Sequence, residues 1–163
     1  MTDNFIKLNN NNILRLGIKT SDGKDTGEYL EFDLEDIELL LKYQDLIEQD
    51  KKNKLWIKNQ FMIIEKRQDV KGKKLLSKNE EDKIKAINEF FKKEIDVYNI
   101  FLGENGVQKL LNGRKIGWTT LEEIDEIIAT QIKPYLDISM EKITDKIKEK
   151  YGQAVKRNDE VLK

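Results

Sequence analysis

The sequence predicts an α+β fold that is mainly α: a small N-terminal antiparallel sheet of two or three strands packed on a bundle of four or more helices. Three observations carry this reading. Apolar residues alternate with polar ones only in about the first 34 positions, which is the period of a strand. From there to Tyr151 they recur at steps of three and four, the period of a helix. Glycine, asparagine and a single proline punctuate the helical part at a few places only, so the helices are long.

In the first region Leu14, Leu16 and Ile18 alternate with Arg15 and Gly17, and Phe5 to Leu8 is a further apolar segment, with Asn9 to Asn12 read as the turn between them. The segment SDGKDTG, residues 21–27, carries an Asp-Gly turn signal, and Leu30, Phe32 and Leu34 resume the alternation. Asp22, Asp25 and Glu28 lack the spacing of a calcium loop, and the turn accounts for them. Asp33 is the expected cap of the first helix, with Glu35 and Asp36 in its first turn and Ile37, Leu40, Leu41 and Ile47 as its buried stripe. The polar run Glu48 to Lys54 admits two readings, one helix reaching about Gln68 or a break near Asn53. The absence of glycine and proline between Leu34 and Val70 favours one helix, followed by a basic connector over Val70 to Leu76.

Ser77 with Glu80 three residues on is a capping-box pattern, and Glu81 and Asp82 suit the positive end of a helix. The expected stripe of that helix is Ile84, Ile87, Phe91, Ile95, Tyr98 and Leu102, widened by Phe90 and Phe101. Gly103-Glu-Asn-Gly106 ends it; Val107, Leu110 and Leu111 form a short segment that must pack on it, and Asn112-Gly113 turns the chain again. Thr119 with Glu122 repeats the capping pattern ahead of Leu121, Ile124, Ile127, Ile128 and Ile132. Pro134 is expected to end or kink that helix, and a last amphipathic one carries Met140, Ile143, Ile147 and Tyr151. One domain over residues 1–151, with the hairpin at about 1–34, and a flexible polar tail over 152–163 complete the expected organisation.

The chemistry is mostly negative. Thirty basic and 31 acidic residues leave a net charge of -1, which gives no global attraction to nucleic acid or an anionic membrane. Neither cysteine nor histidine is present, so disulfides, thiolate chemistry and imidazole catalysis or ligation are out of reach. No apolar run spans a bilayer and no export signal opens the chain, so a soluble, unexported protein is expected. The acidic groups Glu80-Glu81-Asp82 and Glu122-Glu123-Asp125-Glu126 sit where helices start and favour the dipole there; catalytic use needs carboxylates converging on a pocket. Residues 113–120, GRKIGWTT, are not in phosphate-loop order and follow no strand. No catalytic, cofactor-binding or metal-ligating residue is therefore expected. The candidate interface residues are Trp118, placed in a turn beside Arg114 and Lys115, and Trp56, since tryptophan and arginine are enriched at binding hot spots.

The segment DVYNIFLGENGVQKLLNGR, residues 96–114, with the acidic, isoleucine-rich helix after it, resembles the small tail assembly chaperones of tailed bacteriophages and prophages of Gram-positive bacteria. Phe101, Gly103, Glu104, Gly106, Lys109, Leu110 and Gly113 match that pattern, which ends a helix at a phenylalanine, continues with Gly-Glu, a glycine and Lys-Leu-Phe, and closes on paired glycines. Leu111 and Asn112 replace the phenylalanine and the first of those glycines. The resemblance covers about residues 84–136 and is loose elsewhere. It implies a non-enzymatic viral protein in the host bacterial cytoplasm, without cofactor, that binds the helical tape-measure protein, recruits the tail-tube protein and is absent from the mature virion. Alternatives are a structural component retained in the tail and, further off, a small nucleic-acid-binding phage protein. Self-association is compatible with any of these.

Overall fold

A computed structural model describes residues 4, 6–8 and 12–161, with side chains as far as Gly152. Strands β1 (Ile13–Lys19) and β2 (Asp25–Asp33) pair antiparallel, with Leu14 opposite Phe32 and Leu16 opposite Leu30. The sheet has two strands: Ile6 to Leu8 lie outside any strand, and Phe5 and the Asn9 to Asn11 turn fall outside the described residues. A two-stranded sheet is marginal alone, and its apolar side chains Ile18, Leu30 and Phe32 are buried against the helices.

Helix α1 (Ile37–Glu65) is continuous through the polar run. Its cap is Asp36, whose carboxylate accepts from the Glu38 N–H at 3.0 Å. Asp33, the expected cap, instead accepts from the Glu35 N–H and shapes the turn before the helix. The buried face lies to one side of the expected stripe: Leu39, Leu46 and Ile64 are inside and Leu40 is half-buried on the core, while Ile37, Leu41 and Ile47 stay exposed. The connector is tied at both ends by Asn79, which donates to the Ile64 and Arg67 carbonyls at the end of α1 and whose N–H donates to Asp69.

Helix α2 (Lys78–Leu102) starts with the expected reciprocal cap, Glu80 N–H to Ser77 Oγ at 3.2 Å and Ser77 N–H to Glu80 Oε1 at 3.4 Å. Of its expected apolar face, Phe90, Tyr98, Phe101 and Leu102 are buried, Ile87, Phe91 and Ile95 are half-buried and Ile84 is half exposed; Ala86 and Glu94 are buried beside them. The most extensive contact between any two helices is α1 on α2.

The family-like segment is a structural junction. Phe101 stands between Phe32 of the sheet and Tyr43 of α1, with ring centroids 5.6 Å from each. Gly103 turns the chain at φ 98°. Asn99 then clips the short helix α3 (Gly106–Leu111) to α2 by accepting from the Val107 N–H at 2.8 Å. A Cβ on Gly106 would lie 2.5 Å from Leu102 Cβ, so α3 lies this close to α2 only with glycine there. Asn112 and Gly113 make the next turn in left-handed conformations, as expected of those residue types.

Helix α4 (Trp118–Ile127) begins two residues earlier than the Thr119 pattern implies, because Thr120 Oγ1 accepts from the Gly117 N–H at 2.7 Å and donates back to its carbonyl. Trp118 is thus the first helical residue. Leu121, Ile124, Ile128 and Ile132 are buried as expected, Ile132 completely. Pro134 does not end the helix. A π-helical turn (Ile128–Ile132) precedes it, with the Lys133 N–H bonded to the Ile128 carbonyl, and this wider turn makes room where a proline ring would crowd the carbonyl four residues back. Helix α5 (Lys133–Val161) continues directly from it and runs past Gly152, where the tail was expected to fray; the side chains beyond Gly152 lie outside the described residues. No helix among the described residues is long and apolar enough to cross a membrane.

Candidate interaction surface

Three regions of the molecule combine groups of chemical interest. The first is inside. Glu94 of α2 is fully buried; its Oε1 accepts from Asn53 Nδ2 of α1 at 2.8 Å, while its Oε2 has no donor. Asp50, one turn before Lys54 on α1, bonds the Lys54 ammonium through Oδ2 at 2.8 Å, while its buried Oδ1 also lacks a donor. Two carboxylates each with an orphaned oxygen are satisfied together by one proton between them. Burial, and then the neighbouring Asp50, push the Glu94 carboxyl up to about 8, against the opposing pull of Asn53 and Lys54. Asp125 of α4 is also raised, chiefly by burial, and accepts the hydroxyl of Tyr98. Burial and the Asp125 charge push the Tyr98 phenol up in turn.

This convergence of Asp50, Glu94 and Asp125 was not read from the sequence. Its one signal was position: Glu94 lies one turn from Phe90 and one from Tyr98, on the line those residues bury. The adjoining cavity, lined by Tyr43, Leu46, Asp50, Tyr98, Asp125 and Ile128 among others, holds about 110 Å³. That is room for a few waters, well short of the roughly 300–1,000 Å³ of small-molecule sites. Among the described residues, no group of acidic side chains is placed to hold a metal ion. The arrangement is a polar joint between α1, α2 and α4.

The second region is around Trp118. It is half exposed and lies edge-on to Phe91 at 4.7 Å and against Phe90 at 5.5 Å, beside a shallow apolar hollow formed with Ile57, Phe61 and Met62. The structure does not gather the four candidate interface residues on one surface. Trp56 lines a different hollow, with Ile63 and Ile64, under the Lys93 ammonium 4.9 Å from its ring. Arg114 pairs with Glu123 at 3.5 Å and faces the sheet side, next to Leu16 and Ile18, and Lys115 is exposed.

The third region, also missed, is the largest. Past Leu136 and Ser139 no residue of α5 with a described side chain is buried, so the stripe expected to pack inward faces out. With Leu34 and Ile37 it encloses a groove of about 810 Å³, walled along α5 by Tyr135, Ile138, Ile143, Ile147 and Tyr151. Lys142, Lys146 and Lys150 run through the same face at one-turn spacing, and Glu35 is the one carboxylate among the described residues that line it. Contiguous exposed apolar patches rimmed by polar residues are a feature of protein, membrane and ligand interaction sites. No family model matches this chain, and no curated protein or solved structure matches it either.

Proposed function

We propose that the protein is a non-enzymatic helix-binding chaperone of the phage tail-assembly type, which covers apolar helical surface on a tape-measure protein and helps bring tail-tube subunits to it. The observation that supports this most is the α5 groove: an apolar trough on an otherwise highly charged molecule, open along a helix face that the other described residues leave uncovered. The resemblance of residues 84–136 points the same way, and the motif positions within it act as a rigid junction that holds the hairpin, α1 and α2 together.

The test is coexpression with a tape-measure protein, taken from beside this chain's gene if one is encoded there, followed by a solubility assay and size-exclusion chromatography with light scattering. A client that precipitates alone and co-elutes with this chain supports the reading. A client that stays insoluble while this chain elutes by itself removes it. Finding the chain in stoichiometric amount in purified particles would replace it with a structural tail component.

A further inference from the structure

We propose that the α5 groove takes an acidic amphipathic helix of a partner protein, apolar side chains down and carboxylates against Lys142, Lys146 and Lys150; this rests on the helix-binding function above. Length comes first. From Tyr135 to Tyr151 the groove follows sixteen helical steps, about 24 Å at 1.5 Å each, which matches four to five turns of a partner helix. Its walls are isoleucine and tyrosine three to five residues apart, and Ile143, Ile147 and Tyr151 fall at one-turn intervals, the spacing into which the i, i+3, i+4 and i+7 side chains of another helix fit.

Charge then narrows the partner. Residues four apart on a helix are about 6 Å apart along its axis, so the three lysines repeat at the interval at which carboxylates repeat on a partner helix. Lys142 and Lys150 have no ion pair among the described residues, and Lys146 has only Glu149 at 3.8 Å, both side chains mostly in water, a contact of little strength. A partner carboxylate arriving over the apolar walls would meet these ammoniums in a drier setting than either has alone.

Two other occupants fit less well. A second copy using the same face would set the lysine row against itself, since a two-fold contact joins like patches. An anionic lipid surface would accept the lysines and isoleucines, but it would also meet Glu141, Asp145 and Glu149, which alternate with those lysines along α5 and are exposed.

The experiment uses the full chain and labelled synthetic amphipathic peptides of about 20 residues, leucine on one face and either glutamate or lysine on the other, read by fluorescence anisotropy. The glutamate peptide should bind at least about tenfold more tightly than the lysine peptide, and the preference should shrink as salt is raised, because exposed ion pairs are screened. The triple variant Lys142→Glu, Lys146→Glu, Lys150→Glu changes exposed residues only, so its circular dichroism should match the parent while its peptide preference inverts. Equal binding of the two peptides, or a triple variant that keeps the original preference, overturns the acidic-helix assignment and leaves the chaperone function standing if the client still co-elutes. If neither peptide binds and the chain instead partitions onto anionic vesicles, the groove is a lipid-facing surface. Concentration-dependent dimerisation abolished by Ile147→Asp would assign it to a second copy.

Discussion

Glu94 lies at the middle of the α1–α2 contact with none of its surface exposed, whereas Ile147, on a stripe just as regular, keeps half of its surface in water. The two helices that carry them differ in what they face. Helix α2 has α1 along most of its length, and the large side chains at Phe90, Tyr98 and Leu46 close the contact so tightly that one acidic residue is carried inside with them. Among the described residues, helix α5 past Ser139 has Asn12 and the Leu34–Ile37 edge beside it, so its isoleucines remain outside. A periodic stripe states which face of a helix wants burial; whether burial occurs depends on a partner that the stripe does not contain. In α2 the partner is internal, and the polar group is the anomaly. In α5 the apolar group is the anomaly, and the missing partner is the simplest account of it.

The comparison breaks most visibly in the core. Phe90 is 1% exposed, one turn from Glu94, and packs against Phe91 and Trp118. Phe90→Ala should cost about 3–5 kcal/mol in urea unfolding, through lost burial and the cavity left behind. A loss below about 1 kcal/mol would mean that α1 and α2 are not held by this contact.

Glu94 gives the next largest effect, and its sign follows from the direction of the shift. The folded chain holds a proton to about 8 that the unfolded chain releases near its ordinary value of 4.5. This contribution to stability is fully present below the unfolded value and is lost as pH rises to the folded one, by up to about 1.4 kcal/mol per pH unit in that window. Asp125, raised in the same direction, adds to the slope, while Lys54 opposes it at the Glu94 carboxyl. Glu94→Gln removes the ionisation: its amide oxygen can still accept from Asn53 and its NH₂ can donate to the orphaned Asp50 oxygen. The variant should be close to the parent at pH 5 and clearly more stable at pH 8, with a flatter profile. Parallel profiles for the two proteins would show that Glu94 is not protonated by the fold.

Trp118 falls between the two regions. Its ring is half in water and half on Phe90 and Phe91, so Trp118→Ala should cost about 1–2 kcal/mol in thermal or urea unfolding with helical content kept, from partial burial and the aromatic contacts. An unchanged stability would assign the residue wholly to the surface, and loss of folding would assign it to the core.

What could be read in advance divides along the same line. The hairpin, the unbroken first helix, the Ser77–Glu80 cap, the Gly103 stop and the Leu121–Ile132 stripe all depend on residues within a few positions of one another, and the sequence carries them openly. The misplacements have equally local causes: Asp36 and Gly117 won the caps from Asp33 and Thr119, and a π-helical turn took up Pro134. The polar joint and the α5 groove depend on what stands opposite. Asp50, Glu94 and Asp125 come from three helices and are 44 and 31 positions apart along the chain, and the groove joins residues near 35 to residues near 145, so neither left a pattern in any one segment.

The smallest expected effect is the most discriminating. Ile147→Ala removes methyl and methylene groups from a side chain already half in water, with no cavity to create, so stability should change by no more than about 0.5 kcal/mol. If α5 were held to the rest of the molecule by this stripe, the same change would cost about 2–5 kcal/mol, as buried isoleucines do. Ile132→Ala, fully buried on the same helical run, supplies that reference within one protein. A large gap between the two in urea unfolding, together with loss of glutamate-peptide binding in Ile147→Ala alone, would mean that the isoleucines of α5 stabilise a complex and contribute little to the fold. Equal losses would place the stripe in the core and close the groove to any partner.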